Sequence, residues 1–369
     1  MHVVRRTLVL AMTLGVVACA SSGSSNQDEQ PVLDALTTNV IVPSFRELDA
    51  KAASLAAAVR DFSLDRTEAK LAAAQSAWRE TRVAFRHTDA FRFGPSESKH
   101  LTPHIDFFPA SADAVETLLA STTELNSAAI EALGSNARGL LALEYLLFDT
   151  TGSNAAILAR FADATSGARR ASFAALLAEN VNLKTTAIAQ AWAPEGENFA
   201  REVTAAGSGS STFPSKKSAI DQLMNQMAFA VEEALVDQIA EPLGKKNGGV
   251  PEPEELRTPY SDDSIAEIAA ILDSSRSVYT GAFGTGTGTG LSLLVKAKNS
   301  ALDGRVLSAF ASASSTCASI PPPLRTAVTL HPAEMEAAYE TTRTLKSTLT
   351  TEVASLLGTT LQFNDNDGD

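Results

Sequence analysis

The feature that most constrains this chain is an apolar repeat in steps of three and four residues, sustained along most of its length. Phe45, Leu48, Ala52, Leu55, Val59 and Phe62 follow it, and Leu71, Ala74, Trp78, Thr81 and Phe85 continue it. That period is one face of an α-helix, and a stripe this narrow is a bundle seam. The same reading places helices around 111–133 (Val115, Leu118, Leu119, Leu125, Leu133), at about 136–149, and at about 166–192 (Phe173, Leu177, Ile188, Trp192). A polar, Gly/Ser-rich stretch at 194–216 then marks a domain boundary. Periodicity resumes at 218–241 with Ile220, Leu223, Met227, Val231, Leu235 and Ile239, near 262–280 with Ile265, Ile268, Leu272 and Val278, at 290–312, and at 333–357. Period-two runs bounded by turns are scarce, so no substantial sheet is expected. The predicted fold is all-α: two tandem helical-bundle domains, 33–200 and 215–369, related by approximate internal duplication.

The first residues read as an address. Arg5 and Arg6 precede a short apolar run, Thr7 to Ala18, too short to span a bilayer as a helix and laid out like a secretory signal. It ends in Val16-Val17-Ala18-Cys19, which resembles a bacterial lipobox, so residues 1–18 are expected to be removed and Cys19 to carry a lipid. Ala20 follows, where Asp would resemble an inner-membrane retention signal, which favours the outer membrane. Residues 19–32 form a flexible tether, and as a coil the twelve polar residues 20–31 within it reach about 20 Å. The expected location is the periplasmic face of the cell envelope, with the membrane as a partner through Cys19. With Cys19 acylated, Cys317 stands alone among small residues and reads as a buried, inert thiol.

Composition removes several classes. With 43 acidic against 30 basic residues and a net charge of −13, the chain lacks the basic face that nucleic acid requires. Two cysteines exclude a disulfide framework and a multi-cysteine zinc site. The Gly-Thr run at 284–290 is followed by no Gly-Lys-Ser/Thr and preceded by no strand, so it reads as a helix–helix loop and not a phosphate cradle. Neither Gly-x-Ser-x-Gly nor His-Glu-x-x-His occurs.

Two places concentrate chemistry. Glu144 lies in Gly139-Leu-Leu-Ala-Leu-Glu-Tyr-Leu-Leu-Phe148, and its helical neighbours Leu140, Leu141, Leu147 and Phe148 are all apolar. A carboxylate on such a face must be paired, metal-bound or protonated, because a bare one costs several kcal/mol. Spacing favours a buried Glu–Arg pair; the functional alternative is a ligand or metal carboxylate in an interhelical cavity. The second place is Arg82–Asp106, which gathers Arg82, Arg86, His87, Asp89, Arg92, Ser96, His100, His104 and Asp106 on a helix end and a loop opened by Gly94-Pro95. His100 and His104 have the spacing of a helical metal pair, which Pro103 between them weakens. His331-Pro-Ala-Glu334 reads as a helix start.

These segments, in order, resemble the imelysin family over about 34–369. Trp78 through Arg82, then Asp89-Ala-Phe-Arg-Phe-Gly94-Pro95, is similar to the family's Trp-x3-Arg and Glu-x-Phe-x-Phe-Gly segment. Ile105-Asp106 with Pro109 is similar to a following Asp/Pro element, and Gly139 to Glu144 to its Gly-x-His-x-x-Glu signature. Tyr260-Ser-Asp-Asp-Ser264, Tyr279-Thr-Gly281 and the ending Leu361 to Asp369 resemble second-half elements. The resemblance implies two helical halves with a polar site between them and an envelope role tied to iron acquisition, with iron-uptake partners. The signature histidine is replaced by Leu141, which cannot ligate a metal or move a proton. The expectation is therefore a non-catalytic, lipid-anchored protein binding a metal ion, a metal chelate or a small polar ligand between the halves. Glu144, Arg82, Arg86, Asp89, Arg92, Ser96, Asp106, Ser261 and Asp262 would line that site. A metal, if bound, would be iron or another divalent ion held by Glu144 and His104. The alternatives are a metallopeptidase using substitute ligands and a structural or partner-binding envelope protein.

Overall fold

The computed structural model describes residues 29–283 and 288–362; Cys19, the tether to residue 28, Gly284, Gly286 and residues 363–369 lie outside the described residues. Among the described residues there are helices and turns but no strand, as the periodicity requires. None of those helices is long and apolar enough to cross a membrane.

A first helix, Glu29–Leu36, runs through a π-helical turn, Thr37–Ile41, into α1, Val42–Leu64. The stripe Phe45, Leu48, Ala52, Leu55, Val59 and Phe62 is buried throughout. The Thr67 side chain caps α2, Glu68–Arg86, whose Leu71, Ala74, Trp78, Thr81 and Phe85 turn inward. The short α3, Gly139–Leu147, and the long α4, Gly167–Trp192, complete the first half, with α1 packed along both α2 and α4. Phe45 stacks on Trp192 with ring centroids 5.5 Å apart, and Phe62 meets Phe161 edge-on at 4.8 Å.

In the second half a Ser215–Ser218 capping box starts α5, Lys216–Leu235. It packs against α6, Ser264–Thr280, which packs in turn on α7, Ser300–Ala318. α7 lies along α8, Pro332–Ser347, with Val306, Phe310 and Ala313 facing the layer that holds Met335, Ala338 and Leu345. The halves meet where α2 packs on α6 and where a single turn, Asp89–Phe91, packs on both α5 and α6. Buried apolar side chains of both halves form one contiguous core.

Three expected helices are interrupted. The 111–133 segment is two short helices, Ala112–Ala120 and Ser127–Glu131, capped by the Ser111 and Asn126 side chains. Between them, Ser121-Thr-Thr offers the backbone local partners that compete with the helix. The 290–312 segment breaks at Asn299, whose side chain accepts the Leu302 N–H and restarts the chain as α7. The last segment loosens into a π turn, Thr348–Val353, and ends at left-handed Gly358. The polar 194–216 stretch contains the helix Ala200–Thr204, and Glu202 Oε2 gathers the Ser211 and Thr212 N–H groups and the Ser210 and Ser211 hydroxyls.

Candidate functional site

The site begins with two arginines one helical turn apart on α2. Arg82 and Arg86 point at α6 and are almost fully buried, so each must be met by carboxylates. Glu267 on α6 receives both. Arg82 Nε and Nη2 donate to its two oxygens at 2.7 and 3.0 Å, a fork-on-fork pair, and Arg86 Nε donates to Oε2 at 3.0 Å. Asp106, extended after the turn Thr102–Ile105, lies 2.6 Å from Arg82 Nη1 and 3.5 Å from Arg86 Nη2. Arg86 Nη1 donates to Glu233 on α5 at 2.5 Å and to Asp89 at 3.3 Å. Arg92 closes the ring, bound to both Asp89 and Glu233, with its guanidinium 4.7 Å over the Phe85 ring.

Electrostatics separate these acids. Burial opposes ionisation of Asp106, but the Arg82 and Arg86 charges outweigh it and hold its carboxyl at about 2. Burial raises Asp89 to about 7, against the pull of Arg92. Glu233 is held below its ordinary range: burial opposes this, and Arg86 and Arg92 prevail.

Glu144 sits on α3, whose place is fixed by two side chains of α2: Trp78 Nε1 donates to Leu140 O and Gln75 to Leu147 O, both at 2.8 Å. The helix starts at Gly139, where φ is +80° and a Cβ would meet Ile105 O at 2.5 Å. Only glycine lets the Asp106 loop approach so closely. In place of the buried Glu–Arg pair that spacing favours, Glu144 Oε1 accepts three hydrogen bonds from the stretch before α6: Tyr260 N at 3.1 Å, Ser261 N at 2.8 Å and Ser261 Oγ at 2.7 Å. Burial nonetheless pushes its carboxyl up to about 8, against those donors. Leu141, at the signature histidine position, is 2 % exposed.

A cavity of about 580 Å³ opens beside the ring. The first half supplies Asp89, Arg92, Ser96, Glu97 and His100. α5 and the π turn Val236–Ala240 supply Phe229, Glu232, Glu233 and Asp237. Ser96 follows Gly94, whose φ is +62° and whose Cβ would strike the Phe199 ring at 2.4 Å. Ser96 is 1 % exposed, and its hydroxyl has no partner among the described residues. Asp237 pairs with Arg257 at 2.6 Å, and burial raises its carboxyl to about 6.

Thus Arg82, Arg86, Asp89, Arg92 and Asp106 share one network, Ser96 lies on the adjoining cavity, and Ser261 holds Glu144. Asp262, at φ +56°, turns away to Arg325 at 3.3 Å. His104 faces Glu131 at 3.6 Å instead of Glu144, and His100 takes a left-handed turn (φ +51°), so the i, i+4 histidine pair does not form. Among the described residues no group of three or more His, Cys, Asp or Glu side chains is arranged to hold a metal ion. With Leu141 lacking a donor atom and Glu144 Oε1 already met by three donors, these residues do not fit a bare metal ion. Sequence reasoning missed Glu267, Glu233 and Asp237. A signal existed for Glu267, which shares a helical face with Ile271, Ser274 and Val278, the same criterion that exposes Glu144.

Residues 41–352 match the family model of imelysin, Peptidase_M75, and the chain belongs to that family. It is similar to Iron-regulated protein A of Synechococcus elongatus, 24 % identical over 334 residues that span 87 % of this chain and 85 % of the relative. Its fold is that of a Parabacteroides distasonis protein described as an iron-regulated protein A precursor (TM-score 0.78, 19 % identity) and of an imelysin-like protein from Psychrobacter arcticum (TM-score 0.73, 15 % identity). Each comparison covers 91 % of this chain and 97 % of the other.

Proposed function

We propose that this chain is a lipid-anchored, non-catalytic imelysin-like protein of the cell envelope, held by Cys19 at the outer membrane. It binds a metal chelate or another small polar ligand in the cavity between its halves, in the service of iron acquisition. The single observation that carries the reading is that cavity: about 580 Å³, the size of a small-molecule site, lined by charged side chains from both halves and floored by a buried ionic ring. The name of the Synechococcus relative supports the link to iron. A ligand that brings its own metal donors suits this site better than a naked ion, because among the described residues no three His, Cys, Asp or Glu side chains are arranged to hold one. Leu141 supports binding over hydrolysis, since it can neither ligate zinc nor transfer a proton.

Calorimetry on the chain from residue 20 onward tests this, with ferrous, ferric, zinc and copper ions and with ferric chelates. One chelate per chain at micromolar affinity, weakened by Asp237→Asn, is the expected result. Tight stoichiometric binding of a bare ion, lost in Glu144→Gln, would replace it with a metal site at Glu144. If no ion and no chelate binds, the cavity is not a chelate site.

A further inference from the structure

We propose that the group recognised in the cavity is an organic cation: a protonated amine or guanidinium received by the carboxylate wall of Glu233 and Asp237, with the Ser96 hydroxyl as its neutral hydrogen-bond partner. This deepens the function proposed above and rests on it.

The charge arrangement carries the inference. Among the described residues five carboxylates line the space, those of Asp89, Glu97, Glu232, Glu233 and Asp237, whereas Arg92 is the one arginine or lysine lining it. Arg92 is itself bound to Asp89 and Glu233. The other balancing cations stand behind the wall: Arg86 on Glu233, Arg257 on Asp237 and Lys346 on Glu232. From within, the cavity presents acceptors, which draw a cation and repel carboxylate or phosphate. A metal ion needs three or more converging donors, and no group of three or more His, Cys, Asp or Glu side chains among the described residues is arranged to supply them. An ammonium has no such geometric demand: its three donors take separate acceptors. Two further features point to a ligand. Ser96 is buried on the cavity with its hydroxyl unpartnered among the described residues, although buried hydroxyls are ordinarily bonded. Phe229 gives the wall an aromatic face, on which an alkylammonium packs well.

The test uses two ferric trihydroxamate chelates, one bearing a free primary ammonium and the other N-acetylated at that nitrogen, together with spermidine. They are titrated into the chain from residue 20 onward. The charged chelate is expected to bind at least tenfold more tightly than the acetylated one, and spermidine to compete. Added sodium chloride should weaken the charged chelate alone. Asp237→Asn should cost about tenfold, and Ser96→Ala, which removes a hydroxyl bonded to no other residue, should weaken binding while leaving the melting curve unchanged. Equal affinity for the two chelates would overturn the cation inference and leave the chelate site standing. Binding of spermidine alone would keep the cation and remove the chelate. Failure of all three ligands would overturn both.

Discussion

Replacing Glu144 by Gln should make the stability of this protein much less sensitive to pH. Glu144 is 1 % exposed, and burial raises its carboxyl from 4.5 to about 8. A carboxyl with a raised folded-state pKa binds its proton more tightly folded than unfolded. Its contribution is complete below about 4.5 and is lost as pH climbs towards 8. At about 1.4 kcal/mol for each tenfold, the whole loss has a ceiling of about 5 kcal/mol, and a few kcal/mol is the realistic scale. Gln has the shape of the protonated acid, and its carbonyl can take the same three donors from Tyr260 and Ser261. Urea unfolding at pH 5, 6.5 and 8 measures the effect. The variant should lie within about 1 kcal/mol of the wild type at pH 5 and exceed it by a few kcal/mol at pH 8. A slope will remain in the variant, because burial also raises Asp89, Asp237 and Asp263. Curves that stay parallel from pH 5 to 8 would refute the reasoning. So would a variant weaker than the wild type at pH 8, since that would mean the native state uses the negative charge.

Three further outcomes are expected. Gly139→Ala must hold a left-handed residue with its Cβ 2.5 Å from Ile105 O, and should cost about 2–3 kcal/mol in chemical denaturation. Glu267→Gln leaves Arg82 and Arg86 short of their shared anion and should cost about 3–5 kcal/mol; pairing it with Arg82→Met should recover part of that in a double-mutant cycle. Cys317 is 1 % exposed and burial pushes its thiol up to about 11, so iodoacetamide should label the chain from residue 20 onward only in denaturant, as mass spectrometry will show.

The helices were legible because their signal is local. Phe45 to Phe62 on α1 and Ile220 to Leu235 on α5 are buried as the three-four period requires. Their interruptions were less legible, because a single Asn299 or a Ser-Thr-Thr run outweighs periodicity through side-chain bonds that the period ignores. The site was half legible. Arg82, Arg86, Asp89, Arg92 and Asp106 lie within 25 residues of one another and could be grouped by eye. Two carboxylates that meet these arginines come from far along the chain: Glu267 is 185 residues from Arg82, and Glu233 is 147 from Arg86. Spacing identified Glu144 as a buried acid but misjudged its partner: backbone N–H groups belong to every residue, so no residue type announces that Tyr260 and Ser261 will turn theirs inward.

The ionic ring also determines how a ligand can arrive. Arg82 and Arg86 belong to one half, while Glu267 and Glu233 belong to the other, and the apolar core runs on through the junction. A clamshell that swung open to admit its guest and shut behind it would have to tear those bonds and wet that core at every cycle. The halves are instead riveted, so a ligand of the proposed kind would enter a standing socket through its mouth. Capture of this kind would be a single collision step: its observed rate would rise in proportion to ligand concentration without reaching a plateau, and selectivity would reside in the fit of the empty form.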